Sequence, residues 1–128
     1  FSLETYHLDS WGNALAKNKI IRARFGYCSA LKDHFGILWD GRVVLCCRDY
    51  NGYTALGDVR KASIVDIINS PYAIKIAKGF ESYRLVHPYC RICLGGQSLA
   101  ASITRQIGSI IIFKFLTDRF YQEKVLYD

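Results

Sequence analysis

Five cysteines are the residues whose types and spacing point most directly to chemistry. They are Cys28, the adjacent pair Cys46 and Cys47, and a C-x-x-C pair at Cys90 and Cys93. This odd count and spacing fit a secreted disulfide framework poorly and favour a metal site in a reducing compartment. A C-x-x-C turn brings two sulfurs to one ion or cluster, and a closed four-sulfur site needs two more. Cys28 and one cysteine of the adjacent pair are the remaining candidates.

The residues around the adjacent cysteine pair predict a β-hairpin. Phe35 to Trp39 and Arg42 to Cys47 are rich in β-forming residues, and Asp40-Gly41 between them is a strong signal for a tight turn. Neighbouring side chains on a strand point to opposite faces, so we expect only one cysteine of the pair to face the site. The other is expected to be a small buried hydrophobic residue.

The order of these residues resembles the SPASM domain of radical S-adenosylmethionine enzymes. The match consists of Cys28, Gly41, Cys46 and, after a long gap, the pair Cys90 and Cys93. The connecting sequence resembles the family too, with a hairpin, an aspartate, a Gly-containing turn and a helix at Asp40-Gly41, Asp49, Leu56 to Val59, and Ser63 to Ser70. The similarity covers residues 26 to 96, more than half of the chain.

The resemblance implies a set of ligands for one auxiliary [4Fe–4S] cluster, namely Cys28, Cys46, Cys90 and Cys93. Residues that could support these ligands are Arg48, Asp49 and His87, and His87 is also a weaker candidate for a ligand. Pro88 is expected to stiffen the approach to the C-x-x-C pair, and Gly95-Gly96 to allow a tight turn after it.

The chain departs from the full family pattern in two ways. No cysteine follows Cys93, and Leu99 occupies the position where the longer form has one, so the chain is similar to shortened forms with a single auxiliary cluster. The chain also lacks the C-x-x-x-C-x-x-C motif that holds the S-adenosylmethionine-binding cluster. We therefore expect no enzymatic activity from this chain alone. Because it contains no methionine, we interpret it as a piece of a longer radical SAM enzyme whose missing barrel binds S-adenosylmethionine.

The sequence suggests three alternative functions. The first is an auxiliary-cluster domain that supports substrate binding and passes electrons, with the N-terminal radical SAM barrel and a substrate of unspecified class as partners. The second is a structural zinc module for binding protein or nucleic acid, because zinc suits four-thiolate sites equally well. The third, a thiol–disulfide enzyme, is disfavoured because Cys90 and Cys93 lack a thioredoxin-like strand–helix context.

The net charge of +6 includes one basic run, "KNKIIRAR". Such a run can bind nucleic acid or an acidic partner, form a solvated connector, or balance the negative charge of a cluster. No nucleic-acid-binding motif accompanies it, so nucleic acid is not an expected partner.

The longest apolar run, Ile107 to Leu116, is too short to span a bilayer, and the N-terminal residues do not resemble a signal peptide. We expect a cytoplasmic protein without a membrane partner.

The predicted fold class is α+β, with a small antiparallel hairpin followed by helices. A cysteine knuckle closes back on the hairpin, and a long C-terminal helix follows. Residues 1–24 are interpreted as the end of the missing barrel and a linker, 25–98 as the cluster-binding domain, and 99–128 as a helical extension. Within the first of these, Ser2 to Asn13 are expected to form a strand and a loop.

Three helices are predicted. The first begins at Ser63, the second covers residues 71 to 80 with Gly79 as its stop signal, and the third covers Ser98 to about Tyr121. In the third, Leu99, Ile103 and Ile107 recur at helical spacing. We expect this stripe to pack partly against the domain and partly against the missing barrel or a twin chain, leaving some apolar surface exposed. A helix lying on a membrane surface is the other alternative.

Overall fold

A sheet of three short antiparallel strands forms the first part of the structure, a computed structural model that describes residues 19–116. In chain order the strands are β1 (Gly36–Ile37), β2 (Arg42–Val44) and β3 (Ala55–Asp58), and β2 lies in the middle. Four helices follow, namely α1 (Ile64–Ile68), α2 (Pro71–Glu81), α3 (Pro88–Cys93) and α4 (Leu99–Gly108). A π-helical segment, Ser109–Leu116, continues α4. The predicted α+β class, with a hairpin, following helices and a C-terminal helix, is confirmed.

The hairpin turns at Asp40-Gly41, as predicted, but its strands are shorter than expected. Gly41 has a φ of 86°, a conformation that glycine adopts without a steric penalty. The Asp40 carboxylate accepts hydrogen bonds from the Arg42 backbone N–H at 3.2 Å and from its guanidinium at 2.8 Å. The second strand ends at Val44 rather than Cys47, so the cysteine pair lies in the bend that follows it.

The third strand was not predicted. Leu56 to Val59 were expected to form a turn, but Ala55–Asp58 pair with β2 in antiparallel register, with Val43 opposite Gly57. A register shift between Val43 and Val44 interrupts this ladder.

The strand and loop predicted for Ser2 to Asn13 lie outside the described residues, as does the end of the predicted tail helix.

Side-chain caps start each helix. Ser63 accepts a hydrogen bond from the Asp66 backbone N–H at 3.1 Å, which confirms the predicted start of α1. Ser70 and Ser98 cap α2 and α4 in the same way, each with its hydroxyl on the N–H three residues later. His87 caps α3, and the proline that follows it occupies the first helical position, where its missing N–H is tolerated.

Gly79 does not stop α2, which corrects the prediction. The helix continues to Glu81, and Tyr83 reverses the chain with a φ of 59°. The N–H of Arg84 then donates to the carbonyl of Gly79 at 2.7 Å, the bond of a Schellman cap. A Cβ on Gly79 would lie 2.5 Å from a methyl group of Val86. The glycine is therefore needed because the next segment passes close to the helix.

The apolar stripe predicted to pack against the domain is mostly exposed. Leu99, Ile103 and Ile107 are 63%, 41% and 45% exposed, whereas Ser102 and Gln106 on the adjacent side of the helix are buried. Each of these apolar side chains is partly covered, and the expectation of exposed apolar surface is confirmed. The expected packing against a missing barrel or a twin chain stays a prediction. Within residues 19–116, no helix has both the length and the apolar character required to cross a membrane.

The buried face of α4 binds the backbone of an extended segment, residues 21–27. The side-chain oxygen of Gln106 accepts hydrogen bonds from the N–H groups of Arg24 and Phe25 at 2.9 and 3.2 Å. The hydroxyl of Ser102 donates to the carbonyl of Ile21 at 3.2 Å. Polar side chains are buried here because they satisfy backbone groups that lie outside a regular sheet.

The core lies between the sheet, α2 and the extended segment. Its buried members are Ala23, Ala30, Leu45, Ile76, Phe80 and Leu85. Three cysteines, Cys28, Cys46 and Cys90, pack against the edge of this core. The segments that carry these three cysteines therefore pack against the same hydrophobic core.

Candidate metal centre

One cavity of about 310 Å³ is lined by all five cysteines. All five lie within the described residues, and each is a free thiol. Cys28, Cys46, Cys90 and Cys93 are half-buried, whereas Cys47 is exposed. The prediction that the extra cysteine is a small buried hydrophobic residue is therefore wrong. Its side chain lies at the rim, because the chain has left the strand and begun to turn.

Helix α3 supplies two of the half-buried thiols. Cys90 and Cys93 are three residues apart in Pro88–Cys93, a spacing that places both on one face of a helix. Sequence analysis described this segment as a knuckle, and the structure makes it a short capped helix. Gly95, just beyond it, lies against the extended segment, and a Cβ there would be 2.5 Å from the carbonyl oxygen of Ile21. The glycine thus permits close approach of the two segments beside the cavity.

The bend that carries Cys46 is organised by the buried carboxylate of Asp49. Its oxygens accept hydrogen bonds from the N–H groups of Gly52 and Tyr53, both at 3.0 Å, and from the N–H and hydroxyl of Thr54 at 2.5 and 2.6 Å. The Thr54 hydroxyl in turn accepts from the Leu45 N–H at 3.0 Å. Asp49, a predicted supporting residue, thus fixes the loop behind Cys46 and does not line the cavity.

Cys28 follows the extended segment, which α4 and the residues around α3 hold. The N–H of Tyr27 donates to the hydroxyl of Ser109 at 3.0 Å, and this hydroxyl donates to the carbonyl of Gln106 at 2.7 Å. The N–H of Ala23 donates to the carbonyl of Arg91 in α3 at 2.8 Å. Cys28 is therefore positioned against the same helix that carries Cys90 and Cys93.

Burial and mutual proximity raise the pKa values of three half-buried thiols, those of Cys28, Cys46 and Cys90. Burial raises the pKa of Cys28 to about 11, and the neighbouring sulfurs of Cys46 and Cys93 add to this effect. The pKa of Cys90 is raised even further, by burial first and then by the other three half-buried thiols. Burial also raises the pKa of Cys46, and Cys93 contributes. Electrostatic repulsion thus connects every pair of the four half-buried thiols, which agrees with their lining of one cavity.

These raised pKa values argue against a thiol–disulfide enzyme. An attacking cysteine needs a lowered pKa, because the thiolate is the nucleophile. Cys90, the first cysteine of the C-x-x-C pair, has the opposite shift. A bound metal or cluster would instead favour the deprotonated thiolates. Binding displaces the thiol protons, and the repulsion between sulfurs is replaced by attraction to iron or zinc.

Arg48 and Tyr89 connect the two sides of the cavity. The guanidinium of Arg48 donates to the sulfur of Cys93 at 3.7 Å, so this predicted supporting residue lies beside a thiol. The hydroxyl of Tyr89 donates to the carbonyl of Arg48 at 3.2 Å, and its ring stacks on Tyr53 with centroids 5.9 Å apart. A positive charge next to a thiolate would offset the negative charge of a bound cluster.

His87 lies behind the C-x-x-C pair. Its Nδ1 accepts a hydrogen bond from the Tyr89 N–H at 3.1 Å, and its ring contacts Tyr72 edge-on. Burial lowers the pKa of His87, which keeps the imidazole neutral and able to accept this bond near neutral pH. His87 does not line the cavity, so its role in the structure is to cap α3.

Four thiolates can hold either a single ion or a cluster. A tetrahedral zinc holds each sulfur about 2.3 Å away, so its four sulfurs nearly touch one another. In the part of the chain that the structure describes, no group of three or more His, Cys, Asp or Glu side chains is close enough as it stands to hold a metal ion. A four-iron cluster binds each cysteine to a different iron, so its sulfurs surround a larger group. The four half-buried thiols line one cavity of about 310 Å³, and their donor chemistry fits such a cluster.

A comparison with protein-family profiles matches residues 28–94 to SPASM, an iron–sulfur cluster-binding domain. The chain belongs to the SPASM family. The matched range exceeds half of the 128 residues, begins at the first cysteine and ends just after the last. Searches of curated proteins and of solved structures return no significant match. The predicted membership of the SPASM family is confirmed, and so is iron–sulfur cluster binding as the function of the domain.

Sequence analysis missed several residues of this SPASM site. Tyr89, His34 and Ser109 line the cavity beside the cysteines. Tyr89 precedes Cys90 directly, so its position next to a ligand pair is a signal that was available. Ser109 lies 16 residues beyond the last cysteine in a run read as purely apolar, and only the packing of α4 brings it to the site.

Proposed function

We propose that this SPASM domain holds one [4Fe–4S] cluster through Cys28, Cys46, Cys90 and Cys93. The observation that supports this most strongly is the convergence of four half-buried thiols on one cavity from three separate segments. Four cysteines are the complete ligand set of such a cluster. Cys47 is left out of the set because it is exposed at the rim while its neighbour is half-buried.

The surroundings of the thiols suit a cluster. Leu45, Leu94 and Ala30 provide apolar walls, and the Arg48 guanidinium lies against the sulfur of Cys93. Apolar burial and hydrogen bonds to the sulfurs are two factors that set the reduction potential of a cluster. When bound, the cluster would supply one-electron transfer and a negatively charged surface. The residues of the chain would hold it, limit its contact with water and offset part of its charge.

The parent protein, in this proposal, is a radical SAM enzyme in which this chain follows the barrel. The chain itself has no C-x-x-x-C-x-x-C motif, so the radical would be generated by the barrel and S-adenosylmethionine bound there. The SPASM domain would support substrate binding and electron transfer. Its family membership and the redox capability of an iron–sulfur cluster support these roles.

The test is the metal content of the chain after anaerobic reconstitution with iron and sulfide. We expect about four irons and four sulfides per chain, with the broad visible absorption of an iron–sulfur cluster. A matched variant with Cys90→Ser and Cys93→Ser should bind neither. One tightly bound zinc, with no cluster formed even when iron and sulfide are supplied, would contradict the proposal and favour the structural zinc module.

Electron transfer is tested separately on the loaded chain. Dithionite reduction should bleach the visible absorption and produce a paramagnetic signal in electron paramagnetic resonance, with recovery on reoxidation. A cluster that remains unreduced, or that decomposes on accepting an electron, would argue against a role in electron transfer while leaving cluster binding intact.

A further inference from the structure

A second cavity, of about 440 Å³, lies along α2 and has no lining residue in common with the cysteine cavity. Its apolar walls are formed by Pro71, Ile74 and Val86. Its charged lining consists of three cations, Lys75, Lys78 and Arg84. Among the residues that the structure describes, no carboxylate lines it, and Ser82 is its single neutral hydrogen-bonding side chain. This is a positively charged, apolar surface on a face of the domain that cluster binding does not use.

The three cations are available for a partner. All three are exposed, and in the described part of the chain none of them makes an ion pair. Lys75 and Lys78 are three residues apart on α2, so they project from the same side of the helix. Arg84 comes from the segment that folds back along α2 through the contact between Gly79 and Val86. Glu81, the acidic residue at the end of α2, does not line the cavity.

We infer that this cavity is a docking site for an acidic segment of polypeptide in which carboxylates alternate with apolar side chains. Charge complementarity selects the carboxylates, because three cations surround the cavity without an acidic neighbour on its lining. The apolar walls favour the apolar side chains of the segment, because Ile74 and Val86 offer a surface that a small hydrophilic anion would not cover. A small anion such as phosphate is instead held by several converging hydrogen-bond donors, and the lining offers little besides long, flexible cations.

This inference goes beyond the proposed function and does not depend on it, because the two cavities have separate linings. The acidic segment would dock on α2 whether or not the cysteines hold a cluster. In a larger enzyme such a surface would hold a polypeptide partner or substrate at a distance from the cysteine site.

The experiment measures binding of a short fluorescent peptide, with glutamate and leucine alternating, to the full chain by fluorescence anisotropy. We expect saturable binding, with chemical-shift changes in a nuclear magnetic resonance spectrum centred on α2. The double variant Lys75→Glu, Lys78→Glu should raise the Kd by about tenfold or more. The matched control Lys19→Glu, Lys61→Glu makes the same change in net charge at exposed sites outside the cavity, and should leave the Kd nearly unchanged.

Two further peptides separate the parts of the inference. A peptide with glutamine in place of glutamate should bind weakly, and so should one with serine in place of leucine. Equal binding of all three peptides, equal loss in the two double variants, or shifts away from α2 would overturn the inference. Displacement of the acidic peptide by low millimolar phosphate would also overturn it, in favour of a small-anion site. Circular dichroism of each variant establishes that it is folded before its Kd is compared.

Discussion

The bend that carries Cys46 and the helix that carries Cys90 and Cys93 border the same cavity, but different interactions hold them in place. Helix α3 is positioned by its own backbone turns and by the His87 cap. The bend has no regular structure and is held mainly by the buried carboxylate of Asp49, which is 1% exposed, with one further hydrogen bond from the Tyr89 hydroxyl to the Arg48 carbonyl. The two halves of one metal site can therefore differ in their sensitivity to substitution. We expect the helical half to tolerate the loss of its cap better than the bend tolerates the loss of the Asp49 carboxylate.

The largest expected effect compares the two neighbouring cysteines of the bend. Cys46→Ser should abolish stable cluster binding, because it removes one of four ligands, whereas Cys47→Ser should leave the iron content near that of the original chain. Iron and sulfide analysis after reconstitution measures both. Equal loss of iron in the two variants would show that the bend presents both thiols to the cluster, and would contradict the assignment of ligands.

The next largest effect removes the carboxylate that organises the bend. Asp49→Ala removes the acceptor of the buried N–H and hydroxyl of Thr54 and of two part-buried N–H groups, and we expect the free energy of unfolding to fall by roughly 3 kcal/mol. Urea unfolding of the metal-free chain measures it. The control Glu81→Ala, at an exposed position, should cost about 0.5 kcal/mol or less. A loss for Asp49→Ala as small as that of the control would show that the bend does not depend on its carboxylate.

A smaller effect concerns pH and the metal-free thiols. Burial raises the pKa of Cys28 from 9.0 to about 11, so the folded chain binds this proton more tightly than the unfolded chain does. The associated stability is complete below pH 9 and is lost as the pH rises towards 11, by roughly 2 kcal/mol. The free energy of unfolding, measured across this pH range with a chelator and a reductant present, tests this expectation. Cys28→Ala should flatten this part of the pH dependence, and identical curves for the two proteins would contradict the prediction.

The smallest effect tests the helical half of the site. His87→Ala removes the cap of α3 and should lower the free energy of unfolding by about 1 kcal/mol, while the loaded chain keeps four irons. His87→Asn should recover most of the loss, because asparagine is a favoured capping residue. If His87→Ala instead lost the cluster while remaining folded, the imidazole would be acting as a ligand rather than as a cap.

The sequence was most informative where local chemistry determines the structure. The Asp40-Gly41 turn and the Ser63 cap follow from short-range preferences that tertiary contacts did not override. The four half-buried cysteines were also identified, because thiol spacing and the family resemblance agree.

Features that depend on distant contacts were not predictable. The strand ends at Val44 because the Asp49 carboxylate binds N–H groups in the loop that follows, which no local preference reveals. Gly79 was predicted to end α2, but this position requires glycine because Val86 of the returning chain packs closely against it. Hydrophobic periodicity failed for α4, because its buried face contains Ser102 and Gln106, which satisfy the backbone of the extended segment.

The most direct test of the central claim is a thiol-alkylation footprint of the cluster-loaded chain, mapped by peptide mass spectrometry under anaerobic conditions. We predict that Cys47 is alkylated rapidly while the other four cysteines are protected, and that removing the iron and unfolding the chain makes those four react with the reagent. Protection of Cys47, or alkylation of any of the other four at the rate of Cys47 in the loaded chain, would contradict the claim that Cys28, Cys46, Cys90 and Cys93 hold the cluster.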